Sequence, residues 1–137
     1  MDETFVTLSI NKFLNENNYE VIQCIPPGGQ GGIYYSLKNN IIYPDIICLK
    51  DKILYIGENK TLFNESDERK LFELSKESNL FKESQKIIDN FLKSKNKPNE
   101  KIDDIKFFLG FSSESKKKSN IHINFVVGKD GKVILKN

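Results

Sequence analysis

Asp45, Glu58 and Lys60 are the side chains whose types and spacing point to shared chemistry. They fall in residues 43–60, YPDIICLKDKILYIGENK, where two apolar runs, 46–49 and 53–56, flank the polar triplet Lys50-Asp51-Lys52. That pattern predicts two antiparallel strands joined by a tight connection. In such a pair the start of the first strand lies beside the end of the second, so Asp45 is expected next to Glu58. Side chains alternate along a strand, which puts Glu58 and Lys60 on one face, about 7 Å apart, and turns Asn59 to the other. Two hard oxygen ligands and an ammonium at one place suit Mg²⁺, which often takes one or two carboxylates and leaves its other positions to water and phosphate. An ion so held polarises a phosphoryl oxygen and supplies a hydroxide, while a neighbouring lysine orients the water or offsets developing charge. Phosphodiester hydrolysis is the chemistry implied. Pro44 could instead simply open an edge strand, with Glu58 and Lys60 a solvated ion pair at a strand end. Against this, the flanking runs are apolar on both faces, as in a covered sheet, and charge at the end of a buried strand calls for an explanation.

Pro44-Asp45, then twelve residues, then Glu58-Asn59-Lys60 resembles the signature of the PD-(D/E)XK nuclease superfamily, which includes many restriction endonucleases and the archaeal Holliday junction resolvases. The motif covers residues 44–60, and the likeness in element order extends across roughly residues 3–112. The resemblance implies a Mg²⁺-dependent endonuclease, with Mn²⁺ as a substitute, in which Asp45, Glu58 and the backbone carbonyl of Asn59 bind the metal and Lys60 is the catalytic lysine. DNA is the implied substrate and RNA the alternative. One such centre cuts one strand, so a homodimer or a separate specificity subunit is the expected partner. A nuclease-like fold that binds nucleic acid or a protein without catalysis is the contrasting expectation. Many members carry a further acid on the first helix. Glu3 is the residue named for that place, although Thr7, one turn further on, is nearer to where the resolvase glutamate would fall, and a first-turn acid also simply favours a helix N-terminus. Glu20 is the second candidate for this extra acid.

The elements that must position these groups follow in order. Residues 3–17 place Phe5, Val6, Ile10, Phe13 and Leu14 at helical spacing, with Asn17-Asn18 as the stop. Residues 19–25 are rich in strand formers. Pro26-Pro27-Gly28-Gly29-Gln30-Gly31-Gly32 forbids helix and reads as a flexible loop. It lacks the Gly-Lys-Ser/Thr ending of a phosphate-binding P-loop, so its expected role is either contact with substrate backbone, through Gln30, or a plain turn. Residues 33–37 are predicted as a short strand, which makes three consecutive strands with the acids on the last two. Asn64, followed by Glu65, Asp67 and Glu68, signals a helix start, and a helical stripe runs to about residue 93 with a break near Ser78-Asn79. Such a segment supplies the crossover to a parallel strand at 105–111. Lys116, Lys117 and Lys118 lie in a polar loop and suit either sequence-independent phosphate contacts or plain solvation. Residues 121–127 and 132–135 form a hairpin across an Asp-Gly turn. His122 is expected to be an exposed strand histidine, and one histidine builds no zinc centre.

The whole is read as α/β: a restriction endonuclease-like mixed sheet of about five strands, built from a helix, three antiparallel strands, a crossover helix and a parallel strand, with a C-terminal hairpin. Its 137 residues fit one domain, 1–137. A net charge of +2 does not by itself announce nucleic acid, so any basic surface must come from local clustering. No secretory signal and no run of membrane-spanning length stands out, and Cys24 and Cys48 lack metal-ligand spacing, so a cytoplasmic protein with reduced, buried thiols and no membrane association is expected.

Overall fold

A computed structural model describes residues 1–29, 31–38 and 40–136. Helix α1 (Glu3–Glu16) leads into β1 (Glu20–Cys24), a pair of very short strands β2 (Tyr35–Ser36) and β3 (Ile41–Ile42), then β4 (Ile46–Lys50) and β5 (Ile53–Asn59). Helices α2 (Glu65–Ser75) and α3 (Leu80–Ser94) follow, then β6 (Asp104–Ser112), β7 (Ile123–Val127) and β8 (Val133–Lys136). Six strands make one sheet in the order β1-β4-β5-β6-β7-β8, with the β5/β6 and β6/β7 pairs parallel and the others antiparallel. The molecule is therefore a mixed α/β fold.

Helices α1 and α2 each begin where a short polar side chain caps them. The Asp2 carboxylate accepts from the Phe5 amide (2.8 Å), and the Asn64 side chain accepts from the Asp67 amide (2.9 Å). Alternation along the strands sorts the apolar residues into two cores. Ile46, Cys48, Phe108, Phe125 and Val127 face α1 and pack with Val6, Ile10 and Leu14. Ile47, Leu49, Leu54, Ile56, Leu109 and Phe111 face the other way and are covered by Leu71 and Leu74 of α2 and Ile88 and Leu92 of α3. Both faces of the central strands are thus sealed, which is why their sequences read as unbroken apolar runs.

The β4–β5 connection fixes the register on which the site depends. Asp51 and Lys52 both adopt left-handed backbone angles (φ 51° and 65°), the conformation of a two-residue hairpin turn that matches the twist of its strands. Ile46 is thereby set against Gly57, and Asp45 comes to the side of Glu58.

Three expectations change. The 33–37 segment does not join the sheet: Tyr35–Ser36 pairs only with Ile41–Ile42, and this small hairpin lies over the larger core through buried Tyr35 and Ile42. Pro26, Pro27 and the neighbouring glycines disfavour strand pairing, and β1 pairs directly with β4. The 121–127 segment is not an appendage but extends the sheet, with β7 parallel to β6. His122 precedes that strand, is half-buried against Phe107, and shares a hydrogen bond between its Nε2 and the Glu68 carbonyl (3.0 Å), so it is not an exposed strand histidine. Burial lowers its pKa. The helical break near residues 78–79 separates α2 from α3 as expected. Both cysteines are free, and burial pushes the Cys48 thiol up to about 12. No helix among the described residues is long and apolar enough to cross a membrane.

Candidate active site

The start of β4 and the carboxyl-terminal ends of β5 and β6 meet at one end of the sheet, and the chemically distinctive groups collect there. Asp45 is held on several sides. Its carbonyl accepts from the Ile25 amide (2.8 Å), its amide donates to the Gly57 carbonyl (3.1 Å), and its Oδ2 accepts from the Asn59 amide (2.8 Å). The preceding Pro44 carbonyl is fixed by Gln23, whose Nε2 donates to it (2.9 Å) while its Oε1 accepts from the Ile33 amide (2.6 Å). Gln23 therefore ties the Asp45 segment to the end of the glycine-rich loop.

Glu58 lies on the same strand face as Leu54 and Ile56 and is only 3 % exposed. A carboxylate buried there costs free energy unless it is paired. The neighbouring Asp45 carboxyl adds to that cost, and Lys70 of α2, whose Nζ is 2.7 Å from Glu58 Oε1, offsets it. Burial raises the Glu58 pKa most, the Asp45 charge and hydrogen bond raise it further, and Lys70 opposes them; the outcome is about 8 against an ordinary 4.5. The Lys70 pKa also ends raised: desolvation is its largest influence and lowers it, but Glu58, Asp67 and Asp45 together outweigh it.

Lys60 immediately follows β5 and its side chain is 41 % exposed, but its ammonium contacts Asp67 Oδ2 (3.5 Å) rather than Glu58. Asp67 is buried and also meets Lys70 (3.6 Å), so one carboxylate on α2 links both lysines. Asn59 turns its side chain to the opposite face, where it is buried against Thr7 (Nδ2 to Oγ1, 3.5 Å). Its amide points to Asp45, and because the N–H and C=O of one strand residue point to the same edge, its carbonyl faces Asp45 as well.

The remaining sequence candidates separate. Thr7, and not Glu3, is the α1 residue that reaches the end of β5; Glu3 stays in the first helical turn. Glu20 is not at the site. It pairs with Leu49, four residues along β4 from Asp45 and so about 13 Å away, and forms an ion pair with Lys97. Gln30 lies outside the described residues. Lys116, Lys117 and Lys118 are exposed in the loop between β6 and β7, and Lys117 pairs with Glu65 (3.6 Å). That loop is fastened beside the segment following Lys60: the Ser112 amide donates to the Thr61 carbonyl (2.9 Å), and the Phe63 amide to Ser115 Oγ (3.1 Å). The three lysines thus belong to the same end of the sheet as the acids.

Sequence reasoning missed Asp67 and Lys70. A signal was present in Asp67, Leu71 and Leu74, which share the buried face of α2 and so put a carboxylate on an apolar stripe. Comparison with protein-family models, curated proteins and solved structures returns no match.

Proposed function

We propose that the protein is a Mg²⁺-dependent endonuclease that hydrolyses DNA phosphodiester bonds, on a restriction endonuclease-like core. The observation that carries this reading is the buried Glu58 carboxylate held against Asp45 at the ends of adjoining strands, with its pKa raised to about 8. Element order supports it too: α1, the antiparallel strands β1, β4 and β5, a helical crossover, and the parallel β6.

The donor set fits a hard divalent cation. Asp45 and Glu58 offer carboxylate oxygens, the Asn59 carbonyl faces the same edge, and the charge of buried Glu58 is disfavoured beside half-buried Asp45, which a cation would relieve. When bound, Mg²⁺ or Mn²⁺ would polarise a phosphoryl oxygen and lower the pKa of a coordinated water. The chain's own residues would do the rest. The Asn59 amide holds Asp45 Oδ2 and so fixes the carboxylate beside Glu58. Lys70 holds Glu58 Oε1, and Lys60, half-exposed and tethered by Asp67, is placed to orient the attacking water or to offset charge on the leaving oxygen. One centre cuts one strand, so cutting both requires a second copy or rebinding.

Supercoiled plasmid incubated with Mg²⁺, Mn²⁺ or EDTA tests this. Nicking is expected with either metal and not with EDTA, and Glu58→Ala or Lys60→Ala should lower it about 100-fold or more. Nicking that survives either substitution would defeat the assigned roles.

The 2.7 Å contact of Lys70 with Glu58 favours one other reading, a nucleic-acid or protein-binding module that neutralises this acid with its own lysine and performs no catalysis. DNA binding with no nicking in either metal would select it.

A further inference from the structure

The β2–β3 hairpin carries a feature that metal chemistry does not use. Tyr35 and Ile42 point into the larger core, and the Tyr35 hydroxyl is hydrogen-bonded to Ser84 Oγ of α3 (2.8 Å), so the hairpin is anchored. Tyr34 and Tyr43 point outward, 54 % and 50 % exposed, with ring centroids 5.6 Å apart and planes tilted by 46°. Among the described residues this is the aromatic pair in which both rings are exposed. Two exposed rings in contact form a small contiguous aromatic patch of the kind a binding surface uses.

Position selects the occupant. Tyr43 is two residues before Asp45, at most about 7 Å along an extended chain. The hairpin covers the sheet face to which Glu58 also belongs. Along the sheet order, Tyr43, in contact with Tyr34, leads into the start of β4, the acids and Lys60 lie by β4 and β5, and Lys116, Lys117 and Lys118 lie in the β6–β7 loop. Aromatic faces, then a candidate phosphodiester site, then cationic side chains follow the order in which a single strand presents an unpaired base and its successive phosphates. A duplex offers no free base face to the rings.

We propose that Tyr34 and Tyr43 form a stacking platform for an unpaired base of single-stranded DNA lying next to the phosphodiester held at Asp45 and Glu58. The substrate class would then be DNA with single-stranded or splayed segments. This rests on the proposed nuclease reading for its catalytic half, but the binding half is measurable without metal.

The test is fluorescence anisotropy in EDTA with a labelled oligo-dT single strand and a blunt duplex, for the wild type, Y34A/Y43A and Y34F/Y43F, each checked for thermal unfolding. The single strand should bind more tightly than the duplex. Y34A/Y43A should weaken single-strand binding by about 5- to 150-fold, the range for losing one base–aromatic stack, and leave duplex binding unchanged. Y34F/Y43F should bind like the wild type, because stacking needs the ring and not the hydroxyl. Equal single-strand affinity in the wild type and Y34A/Y43A overturns the proposal. So does a phenylalanine pair as weak as the alanine pair, or a self-association that depends on the tyrosines while single-strand binding does not. Tyrosine-dependent binding without cleavage in Mg²⁺ or Mn²⁺ would leave the platform standing and remove the nuclease reading. Cleavage in which the tyrosines make no difference would do the reverse.

Discussion

Replacing Glu58 by glutamine should make the folded protein more resistant to unfolding at alkaline pH, although it removes a residue proposed to bind metal. The carboxyl is buried, lies against Asp45, and has its pKa raised from 4.5 to about 8 in the fold. Between those values the native state keeps a proton that the unfolded chain has released. The stability associated with this group is therefore fully present below about pH 4.5 and is lost as the pH rises through about 8. The interval between the two values, at 1.36 kcal/mol per pH unit, sets a ceiling of about 5 kcal/mol on that loss. Glutamine has nearly the same shape and does not titrate. The difference between Glu58→Gln and the native chain should accordingly be near zero at about pH 5 and reach several kcal/mol, at most about 5, at about pH 9. Against a typical folding stability of about 5–15 kcal/mol this is a large effect.

Urea unfolding in EDTA across that range measures it directly. A difference that stays flat with pH, or shrinks as pH rises, would refute the view that Glu58 is a strained acid. Mg²⁺ supplies a second arm. An ion that binds only the native site adds about 2.7 kcal/mol at a hundred times its dissociation constant. That increment should appear in the native chain and vanish in Glu58→Gln. If both variants gain equally, the ion binds elsewhere.

Two further outcomes follow from the neighbouring contacts. Lys70→Met removes the cation 2.7 Å from Glu58 and should destabilise the metal-free protein by about 3 kcal/mol at about pH 9, where the acid is ionised, and by less at about pH 5; equal losses at both would separate Lys70 from the charge of Glu58. Gly110→Ala would place a Cβ 2.2 Å from Ile10 Cδ1 and 2.3 Å from Asn59 Oδ1, so it should cost about 1–3 kcal/mol in chemical denaturation and lower nicking by moving Asn59, whose amide holds Asp45; an unchanged unfolding midpoint would show that α1 yields without strain.

What the sequence disclosed and what it withheld have separate physical causes. The β4–β5 hairpin was legible because strand side chains repeat every two residues and the apolar runs fixed where each strand had to lie, so Asp45 and Glu58 could be placed side by side without coordinates. The crossover helices and β6 were legible for the same reason, since a change of hydrophobic period marks a change of element. Residues 33–37 misled because a short apolar stretch carries no information about which strand it joins, and only Tyr35 and Ser36 pair, with β3. Glu20 was misplaced because strand content was visible but direction was not: antiparallel pairing with β4 puts the start of β1 at the far end from Asp45.

Lys70 is the instructive case. Its contact with Glu58 spans twelve residues of sequence and joins a helix to a strand. No local pattern encodes such a pair; only the packing of α2 over β5, driven by Leu71 and Leu74, brings the ammonium down onto the acid. The polar group that does announce itself is Asp67, a carboxylate on the buried stripe of that helix, and it links Lys70 to Lys60. Two lysines sharing one buried carboxylate at the edge of a two-acid site can divide the work, Lys70 making the Glu58 charge tolerable inside the fold and Lys60, the more exposed, remaining available to a phosphate. Under that division, losing Lys70 should be felt chiefly in stability and losing Lys60 chiefly in the proposed nicking, because only one of the two ammoniums is committed to an internal partner at 2.7 Å.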